Sequence, residues 1–434
     1  MSRRHVRALV TAAALLFAVT ACSVAAPQQD QSTAPALPRG LNPEPGTDIP
    51  RKELKVGFTP YGDELIGVIG ARQGWFENAG ITFTQPDGLQ TDLAKSLTPV
   101  LEGQVQVGSS YMPAIVPQLD TVSNVRAFMV SNVFMGNRIL APKGRYQTVD
   151  ALMAQGQTFQ QAASTVMAQL KGKTLLLPDG TAPTFYTLSL KQAGLTLDDV
   201  KAVRLSEPDI IRSAQAGQDV FAAPEGAVGQ TQLQEAGWEP LITVGQIIKA
   251  LPPDQTLELR NAHSVYVTTT QFAEANYNTL LRFSGVLYRI IDQLEKDPQK
   301  AAAQYTDYVN SYTGSNLTVA QTASMFSNGL YSLRGFDQAG QFLTDTNDPS
   351  NLDRTVAARI ANLKAGGALV RDHSPSEVSI ATQVYEDLRA YRTATDGLLA
   401  QLPDGTQKAR AQELYAQFDY LDAYRVALAA KAAS

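Results

Sequence analysis

Along the chain, short apolar runs alternate with amphipathic stretches of ten or so residues from residue 54 to residue 269. The short runs read as buried strands and the longer stretches as helices packed on them. The first unit, LKVGFTPYGDELIGVIGARQGWFENAGITFT, predicts a strand over 54–59, a turn over 60–62, a helix opening near Asp63 and a second strand over 81–84. A helix between two strands is a crossover, which needs a parallel pair and leaves a ligand-facing edge at the strand C-termini. Here that edge is Thr59, Pro60, Tyr61, Gly62 and Asp63. A helix over 91–102 and a strand over 105–108 follow, and Ser109-Ser110 then opens another helix, with Pro113 in its first turn. Next come a strand over 125–130, a glycine-containing loop over 131–137 and a strand over 138–142.

A second alternating series begins with a helix over 149–170. The strand over 174–177 runs into Asp179, Gly180, Thr181, Ala182, Pro183 and Thr184, and the strand over 220–223 runs into Pro224, Glu225 and Gly226. Past the strand over 264–269 the pattern is helical only. Val384, Leu388, Tyr391, Leu398 and Leu402 make one apolar stripe; Leu414, Phe418, Leu421, Tyr424 and Leu428 make another. They predict a helical hairpin turning at Pro403-Asp404-Gly405. The whole predicts an α/β fold with largely parallel sheets and a helical C-terminal extension over 341–434.

The N-terminus follows neither pattern. Arg3, Arg4 and Arg7 precede an apolar run over 8–19 that is too short to span a bilayer and suits the core of an export signal. It ends in Val19-Thr20-Ala21-Cys22, which resembles the lipobox of bacterial lipoproteins and implies a lipid on the Cys22 thiol. Residues 23–50 hold six prolines and almost no large apolar side chains, so they cannot offset their ordering entropy and read as a tether. These features predict an exported protein, lipid-anchored to the cell envelope on its periplasmic or outer face.

The charge balance of −5 excludes a nucleic-acid surface. Three histidines and a single cysteine exclude a metal site built from Cys and His, and an internal disulfide. No G-x-S-x-G elbow, phosphate-binding loop or cofactor motif is present, so the sequence offers neither enzyme chemistry nor a cofactor.

Several fragments, in order, resemble landmarks of the solute-binding proteins of ABC importers for sulfonates, taurine, nitrate and thiamine-precursor pyrimidines. They are ARQGWFENAGI at 71–81, LEGQVQVGS at 101–109, LKGKTLLLP at 170–178 with GTA at 180–182, QAGLTLDDV at 192–200, and QAGQDVFAAPE at 215–225. The resemblance spans residues 53–310. It implies a type II periplasmic-binding fold, two α/β lobes joined by hinge strands near 138–142 and 264–267, closing on a small organic solute that is passed to a membrane permease. On that reading residues 51–140 with 265–340 form lobe I and 141–264 form lobe II.

The strand ends then nominate the grip. Tyr61 can stack on a planar ligand, and Asp63 either bonds a polar donor or merely caps its helix. Ser109 and Ser110 either receive an anion or carbonyl oxygen or serve as caps. Gly180, Thr181 and Thr184 face them from lobe II, with Glu225 beside them as a carboxylate that suits an amine, a protonated pyrimidine or a hydroxyl. Asn137, with Asn132 and Phe134, lies near the hinge. Trp75 and Phe76 read as anchors of lobe I, and His263 as a structural residue. Two rivals remain: an enzyme on the same fold using Asp63, Glu225 or Tyr61, and an envelope assembly protein using the C-terminal helices. Cys22→Ala should abolish labelling by radioactive palmitate and move the protein from the membrane to the soluble fraction. Retention on membranes without label would remove the lipid anchor.

Overall fold

Two sheets carry the fold, and the computed structural model describes residue 37 and residues 43–91, 95–178, 184–217 and 219–434 of the chain. The proposed signal and Cys22, most of the tether, and the nominated Gly180 and Thr181 lie outside the described residues. The strands are β1 (Lys52–Leu54), β2 (Val56–Phe58), β3 (Ile81–Phe83), β4 (Leu89–Gln90), β5 (Val107–Tyr111), β6 (Val125–Phe134), β7 (Arg138–Pro142), β8 (Thr174–Pro178), β9 (Lys201–Leu205), β10 (Val220–Ala222), β11 (Trp238–Thr243), β12 (His263–Thr269) and β13 (Tyr331–Leu333). The first large sheet runs β13-β6-β12-β5-β2-β4 and the second runs β11-β7-β10-β8-β9, while β1 and β3 make a small parallel pair.

The two sheets repeat one plan. In the first, β2 pairs in parallel with β4 and β5, and β12 enters antiparallel between β5 and β6. In the second, β8 pairs in parallel with β9 and β10, and β7 enters antiparallel between β10 and β11. Each antiparallel strand is the one that arrives from the other sheet. The chain crosses at 135–137 and again at 261–262, and the Phe134 N–H donates to the Ala262 carbonyl at 2.7 Å, tying the crossings together. This bears out the two-lobed α/β reading, and it sets the ends of β2, β5, β8 and β10 toward one cleft.

Local differences have local causes. The expected loop at 131–137 is strand as far as Phe134, because Val133 and Asn132 pair with both β12 and β13. The expected helix over 149–170 is broken into Val149–Ala154 and Phe159–Ala168. Gly156, at φ 93°, makes the turn, and Thr158 starts the second piece with a reciprocal cap to Gln161. Phe76 is buried against Phe83 and Phe283, with ring centroids 4.7 Å apart in each case, and Arg289 lies over the Trp75 ring at 4.0 Å. His263 is fully buried, its Nε2 3.1 Å from the Ser350 carbonyl, and burial lowers its pKa to about 4.

The C-terminal extension is part of lobe I, not an appendage. Its helices Ala381–Leu399, Thr406–Ala416 and Tyr420–Ala433 replace the expected hairpin, because Phe418 at φ 65° breaks the second stripe in two. Val384, Leu388, Tyr391, Leu398, Leu414, Leu421 and Tyr424 are buried in the same core as β2, β5 and β6. The chain before these helices also hydrogen-bonds β6, with Ala127 N–H to Val378 O and Ile380 N–H to Ala127 O, each at 2.8 Å. Arg282, on the long helix Tyr277–Lys296, holds Asp422 of the last helix through Nε at 2.5 Å and Nη2 at 3.1 Å. Both side chains are buried, so removing the carboxylate strands a guanidinium. Asp422→Ala should lower unfolding free energy by about 3 kcal/mol in a denaturant titration; a loss below about 1 kcal/mol would mean that neighbouring Asp419 replaces it.

Candidate functional site

Where the lobes meet, lobe II presents its backbone directly to an aromatic ring of lobe I. Gly226 is the residue directly before helix Ala227–Glu235, and a Cβ there would lie 3.1 Å from Tyr61 Cδ1 and 3.2 Å from Glu207 Oε1. Any larger residue there would require the Tyr61 ring or the Glu207 carboxylate to give way. Three adjoining chambers surround the contact. The smallest, about 20 Å³, is lined by Tyr61, Tyr111 and Phe134 and by the acidic residues Asp63, Glu64 and Glu225. The second, about 50 Å³, shares Tyr111 and Glu225 and adds Asn137, Thr184, Glu258 and Arg359. The third, about 180 Å³, shares Tyr61 and Gly226 and is lined by Glu207, Ile211, Val228 and Tyr312.

The nominated residues divide between these walls and the scaffold beneath them. Tyr61, Asp63, Asn137, Thr184 and Glu225 line a chamber; Thr59, Ser109 and Ser110 line none of the three. Those three are buried. Thr59 N–H donates to Ser109 Oγ at 2.9 Å, the two hydroxyls are 3.1 Å apart, and Ser110 Oγ lies 2.8 Å from Ser96 Oγ. The serines sit inside β5 and the helix starts only at Met112, so they do not open it. Asp63 is not a helix cap either, because its helix is Gly67–Arg72. Its carboxylate turns inward, accepting from Asn132 Nδ2 at 3.1 Å and from the Ser264 hydroxyl. Asp63 thereby fastens the turn after β2 to β6 and β12.

Three chemically important residues escaped the sequence reading. Glu64, beside Asp63, is almost fully buried; its Oε2 has no hydrogen-bond partner among the described residues. Burial, reinforced by Asp63 and Glu225, pushes its pKa well up. Glu207 opens helix Glu207–Ala216 and accepts the Glu225 N–H at 2.9 Å and the Gly226 N–H at 3.0 Å. The free N–H groups that this strand end could offer an anion are therefore filled by the protein's own carboxylate. Arg359, on helix Leu352–Ala365 of the extension, pairs with Glu258 at 3.0 Å, and Thr184 Oγ1 donates to the same carboxylate at 3.3 Å. The adjacency of Glu64 to the predicted edge was the one available signal; Glu207 and Arg359 reach the cleft only through long-range packing.

No side chain of the smallest chamber is basic. Burial raises Asp63, against the hydrogen bonds that favour its charge, and raises Glu207 to about 7. Glu225 rises to about 8, through burial first and the Glu207 charge second. Groups perturbed in this way, gathered in a cleft, make it the candidate functional site.

Comparison of the sequence with protein-family models and with curated proteins returned no match. Comparison of the structure did. The alkanesulfonate-binding protein SsuA from Xanthomonas axonopodis pv. citri bound to MOPS superposes with a TM-score of 0.52 at 14% identity, over 76% of this chain and 99% of that one. The periplasmic aliphatic sulphonate-binding protein SsuA from Escherichia coli gives 0.51 at 13% identity, over 75% and 91%. The ligand-binding component of an ABC-type import system from Staphylococcus aureus with zinc bound gives 0.52 at 10% identity, over 77% and 98%. The fold is that of the periplasmic solute-binding proteins. At these identities the likeness concerns the fold.

A carboxyl whose folded-state pKa lies above its unfolded value of 4.5 stabilises the fold below that value and loses the contribution as pH rises through the folded pKa. Glu225→Gln should therefore flatten the fall in stability between about pH 4.5 and 8, measured as melting temperature against pH. Taking the difference from wild type cancels the opposite contribution of His263. Parallel profiles would show that Glu225 ionises normally.

Proposed function

We propose that the protein is the solute-binding component of an ABC importer, held at the envelope by a lipid on Cys22 and closing its two lobes on a small organic solute for delivery to a permease. The observation that carries this reading is the set of chambers between lobes whose chain passes from one to the other at 135–137 and 261–262. A ligand touching both walls favours the closed arrangement by its differential affinity for it. Binding without turnover fits the histidines: His263 is buried against Ser350, and His373 pairs with Asp120 and Glu377 away from the chambers. A role confined to partner assembly fits less well, since the apolar stripes of the extension are spent on the core of lobe I.

Closure should be visible as a smaller radius of gyration in X-ray scattering when a stabilising solute is added to the full-length protein. The solute can be found by melting-temperature shifts across sulfonates, nitrate, pyrimidines, amines and amino acids. Gly226→Val, whose side chain would meet Tyr61, should remove the compaction and weaken binding at least about tenfold while leaving the fold intact. A solute that binds with no change in scattering would contradict inter-lobe closure, and a Gly226→Val protein that still compacts would contradict the part given to the Gly226–Tyr61 contact. Conversion of a bound solute to product would favour an enzyme.

A further inference from the structure

We propose that the solute is a primary amine whose ammonium end enters the chamber walled by Tyr61, Tyr111 and Phe134, with Glu64 and Glu225 as its counter-charges. This inference rests on the solute-binding reading and specifies its ligand class. Two independent observations point to it. Glu64, only 2% exposed, is one of the residues lining the chamber, and its Oε2 has no hydrogen-bond partner among the described residues. An orphaned buried acceptor of this kind costs free energy until a donor arrives. In addition, the backbone N–H groups of Glu225 and Gly226 are already held by Glu207, so an anionic head group finds neither them nor a basic side chain in the chamber.

Size selects the ammonium. The chamber, about 20 Å³, admits one water-sized group, which suits a primary ammonium and refuses a quaternary one. The same wall carries the aromatic side chains Tyr61, Tyr111 and Phe134, a residue type that attracts cations. Among the described residues no group of His, Cys, Asp or Glu is arranged to hold a metal ion, so the carboxylates favour an organic cation. The carbon body would continue into an adjoining chamber through the shared Tyr111 and Glu225 or the shared Tyr61. Arg359 does not reverse the preference, being paired with Glu258 in the second chamber.

The titrating groups that face the ammonium are Asp63 and Glu64 from the turn after β2, Tyr61 from the same turn, Tyr111 from β5, and Glu225 with Glu207 behind it from lobe II. Burial raises Glu64, and raises Glu225 to about 8, so a cation must displace protons as it binds. Amine affinity should climb from about pH 6 to about pH 8, with proton release detectable by calorimetry in buffers of different ionisation enthalpy.

The test uses full-length protein in detergent with n-butylamine and 1,4-diaminobutane against ethanesulfonate and nitrate. At saturation the amines should raise the melting temperature by about 3 °C or more, and Glu64→Gln and Glu225→Gln should each weaken amine binding at least about tenfold. Glu64→Gln should melt no lower than wild type without amine, since it replaces a buried acid by a neutral amide; should it fail to fold, Glu225→Gln decides. Stabilisation by ethanesulfonate or nitrate but not by amines would overturn the cation and leave the solute-binding reading standing. Amine binding unchanged in both variants would overturn the assigned chamber. Failure of every solute class would overturn the inference and the binding reading together.

Discussion

An ionised carboxylate enclosed between two protein lobes costs several kcal/mol unless it meets a donor or a positive charge. The cleft of this protein is arranged around that constraint. Asp63 meets it by turning to Asn132 and Ser264, and Glu207 meets it with the N–H groups of Glu225 and Gly226. Glu64 and Glu225 do not meet it fully, and both are driven toward the neutral acid. A solute that brings the missing donor and charge relieves most strain when the lobes are shut, because the dielectric is lowest there. On the proposed reading, binding and closure would be coupled through this one electrostatic term.

The remainder of the fold keeps those groups in place. Each sheet takes in one antiparallel strand directly after a crossing, β7 in one and β12 in the other, and the crossings bond to each other at Phe134 and Ala262. The turn carrying Tyr61, Asp63 and Glu64 is fastened to β6 and β12, whereas Glu225 and Gly226 ride on lobe II. The extension backs lobe I through Arg282 and Asp422 and also reaches lobe II through Arg359 and Glu258. That second contact places part of the extension across the line along which the lobes would separate.

Much of this was legible from local pattern. The turns at Gly74, Gly80 and Gly172 carry positive φ, and alternating strands and helices predict the sheets because each element needs only its own periodicity. The edge at Tyr61 and the carboxylate at Glu225 could be named because strand C-termini face the cleft in such folds. Ser109 and Ser110 misled because their short polar side chains suit a cap as well as a strand, and only the pairing of β5 with β12 decides between them. Glu207 could not be foreseen: its meaning lies in two N–H groups 18 and 19 residues away. Arg359 lies 101 residues from the carboxylate it pairs with, beyond any local signal.

The protonation state of the chamber can be read directly by carbon-13 NMR of the full-length protein labelled at the glutamate carboxyl carbons, with Glu64→Gln and Glu225→Gln assigning the signals. Unliganded, the Glu225 carboxyl should titrate near pH 8 and the Glu64 carboxyl should remain protonated at neutral pH. Saturation with n-butylamine should move both signals to the ionised position at neutral pH. Carboxyls already ionised at neutral pH in the free protein, or signals unmoved by a saturating cation, would contradict the electrostatic coupling on which the cleft is read.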